Sequence, residues 1–311
     1  MASGKTVALA LGSGGARGYA HIGLIEELEQ RGYRIVAVSG SSMGAIVGGF
    51  YCAGKLQQLK EWCCNLSYLD VLRLVDLSLL SQGAVRGDRV FAILRELLED
   101  VQIEQLELPF TAVATDITRK KEVWFQRGDL TQAMRASAAI PSLIAPVPFD
   151  SGNGKSSLLV DGGVLNPLPI IPCVSAHADL IIAVDLNSTT PIPKELHPAE
   201  QPSQKQKQDW LDSVISRASE WWDSKTNERA SENLSKLEII NQMFEIMQAS
   251  LSQFKLAGYP PDLLVSMPTE ACEMYEFYRA NEMIELGRLV AADALDALEA
   301  GTTSLYGKRP G

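Results

Sequence analysis

The sequence predicts an α/β domain in which helices cover a largely parallel central sheet. Short β-rich apolar runs alternate with helical stretches for most of the 311 residues. The run at 180–184 is apolar on successive residues, as expected for a strand covered on both faces. This alternation is typical of a layered domain. We predict strands at residues 6–12, 34–40, 110–117, 122–126, 157–163, 180–186 and 262–267.

The composition restricts the partners and the compartment. A net charge of −10 argues against nucleic acid, or a strongly anionic membrane, held by bulk electrostatics. No apolar run approaches the ~20 residues that cross a bilayer. The five cysteines are an odd number without a spaced pair, so the sequence suggests neither a disulfide framework nor a zinc site. We therefore expect a cytoplasmic protein.

We expect a single domain over residues 1–311. Its core is predicted at about 6–187, followed by a variable loop and helices at about 188–256 and by a C-terminal strand and helix at about 257–300. Between 187 and 209 the composition shifts to Pro, Ser, Gln and Lys, which is typical of a linker or mobile loop.

Two helical patterns follow this loop. The first, Trp210 to Trp222, is rich in tryptophan, and we leave open whether it is a lid, a lipid contact or a core element. The second is a narrow apolar stripe, which favours a helix packed on the sheet over a dimer seam or a lipid contact. Its members are Leu237, Ile240, Phe244, Met247, Leu251 and Phe254.

A glycine-rich turn, "GSGGARG" at 12–18, joins the first strand to a helix predicted from Ala16 to Gly32. Such a turn gathers unpaired N–H groups and the positive end of a helix dipole, so it can hold an anion. A dinucleotide phosphate requires G-x-G-x-x-G, but the sixth position is Arg17. We therefore favour an oxyanion over a nucleotide.

The stretch "GSSMG" at 40–44 has the G-x-S-x-G pattern of a nucleophile elbow, with Ser42 at its centre. The strand before it is predicted to turn sharply at Ser42 into a helix that begins at Met43. Gly40 and Gly44 leave that turn free of side chains that would crowd it.

The two turns are expected to meet, because adjacent parallel strands bring them to the same edge of the sheet. The N–H groups of Gly14 and Gly15 could then face the oxygen that becomes negative when Ser42 attacks an ester carbonyl. A G-x-S-x-G pattern alone occurs by chance, but the glycine-rich turn one unit earlier makes it far more specific.

The sequence leaves two candidates for the base that activates Ser42. His21 lies within the first helix and His197 in the Pro-rich loop, which are poor positions for a catalytic base. His177 fits the order Ser, Asp, His of an α/β-hydrolase, with Asp161 as the middle member. Asp161 could also act alone, since it ends a strand and is followed by two glycines that let the chain bend.

Together, "GSGGARG", "GSSMG" and "DGG" (161–163) resemble the patatin-like phospholipases, and most closely the bacterial single-domain relatives of the neuropathy target esterase catalytic domain. The resemblance implies a three-layer α/β/α patatin-like fold with a central, mostly parallel sheet. Ser13 departs from the all-glycine loop often seen in the family, but a small residue should leave the path of the loop intact. Further similarity lies at 135–147, 161–170, 181–186 and 257–268.

The resemblance assigns a function to these residues. It implies Ser42 as nucleophile, Asp161 as base, and an oxyanion loop of Gly14, Gly15 and Arg17, with no metal or other cofactor. The expected enzyme is a serine acyl hydrolase that cleaves carboxylic esters of phospholipids or lysophospholipids through an acyl-enzyme.

Two alternatives stay open, a lipid-sensing or regulatory protein with little turnover on the same fold, and a Ser-His-Asp esterase that uses His177. Transient contact with a membrane surface and assembly into a homo-oligomer are also compatible with the sequence.

Overall fold

The computed structural model describes residues 4–74, 87–141, 143–150, 156–189 and 227–301, with the side chains of 72, 73, 88 and 227–238 left out. The predicted Trp210 to Trp222 segment and His197 lie outside the described residues. Met1–Pro191 and Glu245–Gly311 form one compact unit, and every contact described below lies within it.

The strands of the described residues are β1 (Thr6–Leu11), β2 (Arg34–Ser41), β3 (Phe110–Asp116), β4 (Lys121–Phe125), β5 (Val147–Asp150), β6 (Ser156–Asp161), β7 (Leu180–Ser188) and β8 (Leu263–Pro268). They form one mixed sheet in the order β5-β6-β3-β2-β1-β7-β8, with β4 paired to β3. The five strands from β3 to β8 along this order are parallel, whereas β4, β5 and β6 run antiparallel to their neighbours. Seven strands match the predictions, and β5 was not predicted.

Helices connect and cover these strands. The first begins as a short 3₁₀ turn, Gly15–Tyr19, because the glycine-rich loop winds tightly before the α-helix starts. The α-helices of the described residues are α1 (Ala20–Gln30), α2 (Met43–Cys52), α3 (Leu56–Cys64), α4 (Tyr68–Leu74), α5 (Asp88–Leu98), α6 (Leu130–Ser137), α7 (Ile171–Val174), α8 (Asn227–Gly258) and α9 (Ala280–Glu299).

The alternation of side chains along β1 produces the three layers. Ala8 and Ala10 face one side of the sheet, where they belong to a buried cluster with Leu168 and Cys173, and Leu256 of α8 packs against it. On the other side, Gly48 of α2 lies close to Leu11 and Phe110. Helices therefore cover both faces, as the sequence predicted.

Strand β3 brings the ends of strands β2 and β6 together within the sheet. Its first half pairs in parallel with β2, whose last residue, Ser41, is opposite Val113. Its second half pairs antiparallel with β6, whose last residue, Asp161, is opposite Ala114. Because Val113 and Ala114 are consecutive, β2 and β6 approach end to end along the same edge of β3.

Helix α8 confirms the predicted helix but corrects the prediction of which side chains it buries. Phe254, the last residue of the predicted apolar stripe, is 74% exposed, whereas Gln248 and Ser252 are each 1% exposed. Phe244, another member of the stripe, is 6% exposed, so the helix buries part of the stripe together with polar residues, which require hydrogen-bond partners.

Candidate active site

Ser42 occupies a strained turn between β2 and α2. Its backbone angles are φ 56° and ψ −123°, which a side-chain-bearing residue rarely adopts. The Ser42 N–H donates to Ser137 Oγ over 3.0 Å, and Ser137 Oγ donates to the carbonyl of Val113 over 2.6 Å. This buried chain of hydrogen bonds fixes the elbow to β3 and α6. Ser137 lies in the 135–147 stretch, but its spacing from the elbow gave no signal of this contact.

The two glycines of the elbow are required by close packing of the backbone. A methyl group on Gly44 would overlap the carbonyl of Leu11, and one on Gly40 would overlap the carbonyl of Gly44. Because these obstacles are backbone atoms, they cannot rotate away as a flexible side chain could. The structure thus gives a direct reason for the glycines that flank the serine.

Ser42 and Asp161 form a buried hydrogen-bonded pair. Ser42 Oγ donates to Asp161 Oδ2 over 2.5 Å, and the other carboxylate oxygen accepts from the N–H of Gly163 over 2.7 Å. The N–H of Asp161 donates to the carbonyl of Ala139 over 2.9 Å. Both oxygens of the carboxylate are therefore oriented, and one of them accepts from Ser42 Oγ.

Burial changes the acidity of this carboxyl group. Removal from water raises the pKa of Asp161 to about 7, although the hydrogen bonds from Ser42 and Gly163 act in the opposite direction. A carboxylate with a pKa near neutrality can accept a proton from a serine far better than an ordinary aspartate can.

The glycine-rich loop carries two N–H groups without an acceptor among the described residues. Gly15 has φ 59°, and a side chain there would meet Met274, so the loop depends on glycine at this position. Within the described part of the chain, neither the Gly14 nor the Gly15 N–H donates to an acceptor. Gly15 and Ser42 also line the same cavity. Both N–H groups thus remain available as hydrogen-bond donors.

The side chain of Arg17 binds residues from the C-terminal part of the chain. Its side chain is buried and donates through Nη1 to the carbonyls of Thr269 at 3.3 Å and Cys272 at 3.1 Å. Its Nη2 pairs with Glu245 of α8 over 2.9 Å. The guanidinium thus anchors the loop to the C-terminal part of the chain, and the assignment of Arg17 to the oxyanion loop stays a prediction.

Of the described histidines, neither His21 nor His177 is hydrogen-bonded to Ser42. His177 is exposed and precedes β7 at the amino ends of the parallel strands, whereas Ser42 follows the carboxyl end of β2. His21 is buried, shares a hydrogen bond of 2.9 Å between Nε2 and the carbonyl of Gly12, and has its pKa lowered by burial to about 4. The structure thus excludes the triad arrangement that uses His177.

An apolar cavity of about 110 Å³ adjoins Ser42. An engineered apolar cavity of ~150 Å³ stays dry and takes up benzene, so a hydrocarbon segment suits a space of this kind. The described lining residues come from α2 to α5, from the segment after α6 and from the chain before α9. Beside Gly15 and Ser42 they are mostly apolar and include Ile46, Leu59, Trp62, Val90, Phe91, Leu94, Ile140, Leu143, Ile144 and Phe277.

The described residues contain neither a metal-binding cluster nor a membrane-spanning helix. We found no group of three or more His, Cys, Asp or Glu side chains that could hold a metal ion in the described ranges. Over the same part of the chain, no helix is both long and apolar enough to span a bilayer.

A serine on a strained elbow, bound to a buried carboxylate in a three-layer α/β/α fold, is an arrangement typical of hydrolases that use a serine nucleophile. The chain belongs to the patatin-like phospholipase family, whose model matches residues 9–174. Membership of this family implies a hydrolase of lipid esters.

Comparison with curated proteins agrees with this assignment. An uncharacterized NTE family protein of Mycobacterium tuberculosis is 39% identical and aligns over 96% of this chain and 93% of its own length. Human patatin-like phospholipase domain-containing protein 6 is 34% identical over 60% of this chain, which corresponds to 14% of that protein. The Drosophila melanogaster neuropathy target esterase sws is 31% identical over 60% of this chain and 13% of its own length.

A solved structure supports the fold. VipD from Legionella pneumophila superimposes with a TM-score of 0.52 at 15% identity, covering 94% of this chain and 67% of that chain. At this level of identity the likeness concerns the fold alone.

Proposed function

We propose that this protein hydrolyses carboxylic esters of phospholipids or lysophospholipids through a catalytic dyad of Ser42 and Asp161. The observation that carries the proposal is the 2.5 Å hydrogen bond between Ser42 Oγ and the buried Asp161 carboxylate, beside an apolar cavity. The bond supplies an activated nucleophile, and the cavity offers a place for an acyl chain.

In the first half-reaction, Ser42 Oγ attacks the ester carbonyl carbon and its proton passes to Asp161. The carbonyl oxygen becomes negative and accepts from the N–H groups of Gly14 and Gly15. One such donor typically contributes ~3 kcal/mol of transition-state stabilisation. The intermediate then expels the alcohol, which takes the proton from Asp161, and the acyl group stays on Ser42.

The second half-reaction releases the acid. Asp161 removes a proton from water, the resulting hydroxide attacks the acyl carbon, and the bond to Ser42 Oγ breaks as that oxygen recovers its proton. The same carboxylate therefore serves both steps, and the mechanism needs no histidine.

The cavity favours a fatty acyl group over a small or charged one. A methylene buried from water contributes ~0.8 kcal/mol, so several methylenes in this space would add substantially to binding. The mostly apolar lining offers few partners for the polar head group of a phospholipid, which we expect to remain outside the cavity.

The test is an assay of purified protein on phospholipids, lysophospholipids and short-chain esters, with Ser42→Ala beside the wild type. We expect release of fatty acid by the wild type and none above background by the variant. A fluorophosphonate probe should label the wild type at Ser42 only. A folded wild type that neither turns over these substrates nor reacts with the probe would favour a lipid-sensing protein instead.

A further inference from the structure

Helix α8 buries polar side chains and exposes apolar ones near the site. Between Glu245 and Gly258, Gln248 and Ser252 are each 1% exposed, whereas Ile246 is 71% and Phe254 is 74% exposed. A helix that covers a core normally shows the opposite pattern. Burying an amide side chain costs free energy unless specific partners satisfy it, so the contacts of Gln248 need an explanation.

The partner of Gln248 is the serine in the glycine-rich loop. Ser13 Oγ donates to Gln248 Oε1 over 2.8 Å in the interior. The N–H of Ser13 donates to the carbonyl of Pro167 over 2.8 Å, and its carbonyl accepts from Asn187 Nδ2 over 2.9 Å. Every polar group of Ser13 is thus bound, so this residue fixes the loop just before the two glycine amides.

The same amide also lies against the loop that carries the base. A methyl group on Gly163 would come within 2.7 Å of Gln248 Nε2, 2.5 Å of Ser13 Oγ and 3.0 Å of Asp161 Oδ1. These three groups therefore converge on one small volume, which glycine leaves free. Gln248 is in contact with the oxyanion loop on one side and with the Asp161 loop on the other.

We propose that Gln248 is a positioning residue that sets the distance between the oxyanion donors and the Ser42–Asp161 pair. The proposal rests on the proposed function, since it assigns a task to Gln248 within that site. It also explains why position 13 is a serine: a glycine there could not donate to Gln248. Displacement of a catalytic group by ~1 Å can lower a rate about 100-fold, so contacts that fix these two loops should affect the rate.

The experiment is a double-mutant cycle with Gln248→Leu, Ser13→Ala and both together. Each single change should lower kcat about 10- to 100-fold at nearly constant KM, because the loss concerns the transition state. The double variant should be no worse than the poorer single one, because both remove the same contact. Ser252→Ala, on the same buried face, is the matched control and should keep wild-type kcat.

Hydrogen exchange of residues 12–18 supplies a readout that does not need turnover. Exchange in this segment should be faster in Gln248→Leu and Ser13→Ala than in the wild type, and unchanged in Ser252→Ala. An inactive wild type would therefore count against the proposed function, whereas the exchange rates would still show whether the contact of Gln248 with Ser13 fixes the loop.

Unchanged kcat and unchanged loop exchange in both single variants would overturn the proposal. Additive losses in the double variant would also overturn it, since they would mean that the two side chains act independently. Should Gln248→Leu fail to fold, Ser13→Ala breaks the same bond from the side of the loop and decides the question.

Discussion

The structure around Ser42 has a polar side, which is held by hydrogen bonds, and an apolar side, which is held by packing. On one side, hydrogen bonds of fixed length connect the serine to Asp161 and Ser137. On the other side, an apolar cavity is formed mainly by helices α2 to α5 and the segment after α6, through packing without fixed direction. We infer that the polar side decides whether catalysis occurs, whereas the apolar side decides which acyl chain is accepted.

The largest effect is expected on the polar side, from Asp161→Asn. The amide keeps the size of the carboxylate but cannot serve as a base, so kcat should fall by about 10⁴-fold or more while the protein stays folded. The measurement is steady-state ester hydrolysis with a thermal melt of each variant. His177→Ala is the control and should retain full activity; loss of activity there, or survival of activity in Asp161→Asn, would contradict the dyad.

The acidity of Asp161 predicts the pH profile. Since burial raises the pKa of Asp161 to about 7, the carboxyl is protonated and inactive at lower pH. The value of kcat/KM should rise about tenfold per pH unit below 7 and level off above it. A profile that is flat from pH 5 to 8 would count against Asp161 as the base.

The same group links pH to stability. The pKa of Asp161 in the folded protein lies above the ordinary value of 3.8, so the folded state holds this proton more tightly than the unfolded state. Its contribution to the free energy of unfolding is therefore full below about pH 4 and is lost as pH rises through about 7. Urea unfolding should show Asp161→Asn gaining stability relative to the wild type between pH 4 and pH 8.

A substitution in the elbow, which lies between the polar and the apolar side, should lower the stability of the protein. Gly44→Ala would place a methyl group on the carbonyl of Leu11, so α2 has to shift. We expect a loss of about 1–3 kcal/mol in the free energy of unfolding, typical of overpacking. Gly258→Ala is the matched control, because a methyl group there meets nothing within 4 Å, and it should be neutral. Equal stability of the two variants would contradict the packing argument.

The smallest effect is expected on the apolar side. Leu94 lines the cavity from α5, an element that does not carry the dyad. Leu94→Trp should reduce kcat/KM about tenfold for long-chain esters and leave short-chain esters nearly unchanged, because only the long chain needs the space. Leu94→Ala should show no such selective loss. Equal losses of kcat/KM for long-chain and short-chain esters in Leu94→Trp would mean that the apolar side affects catalysis itself as well as the choice of acyl chain.

Most of the fold could be predicted from the sequence, because strands and turns depend mainly on residues that are neighbours in the chain. Seven of the eight described strands were predicted, since strands covered on both faces are apolar along their length. Strand β5 (Val147–Asp150) was missed, because its four residues include a proline and an aspartate. The predicted apolar stripe of α8 was right for Phe244, which is buried, and wrong for Phe254, which is exposed. The stripe also gave no indication that Gln248 is buried against polar loops.

What the sequence determined by itself is the elbow and the glycine-rich turn. Gly40 and Gly44 around Ser42 are neighbours in the chain, so the steric requirement of the turn is written in five consecutive residues. The choice between Asp161 and His177 was not local. Only the register of β3, with Val113 opposite Ser41 and Ala114 opposite Asp161, made the carboxylate the partner of the serine. Contacts between distant segments, such as that of Ser13 with Gln248, likewise depend on the packing of the whole chain, and no spacing along the sequence encodes them.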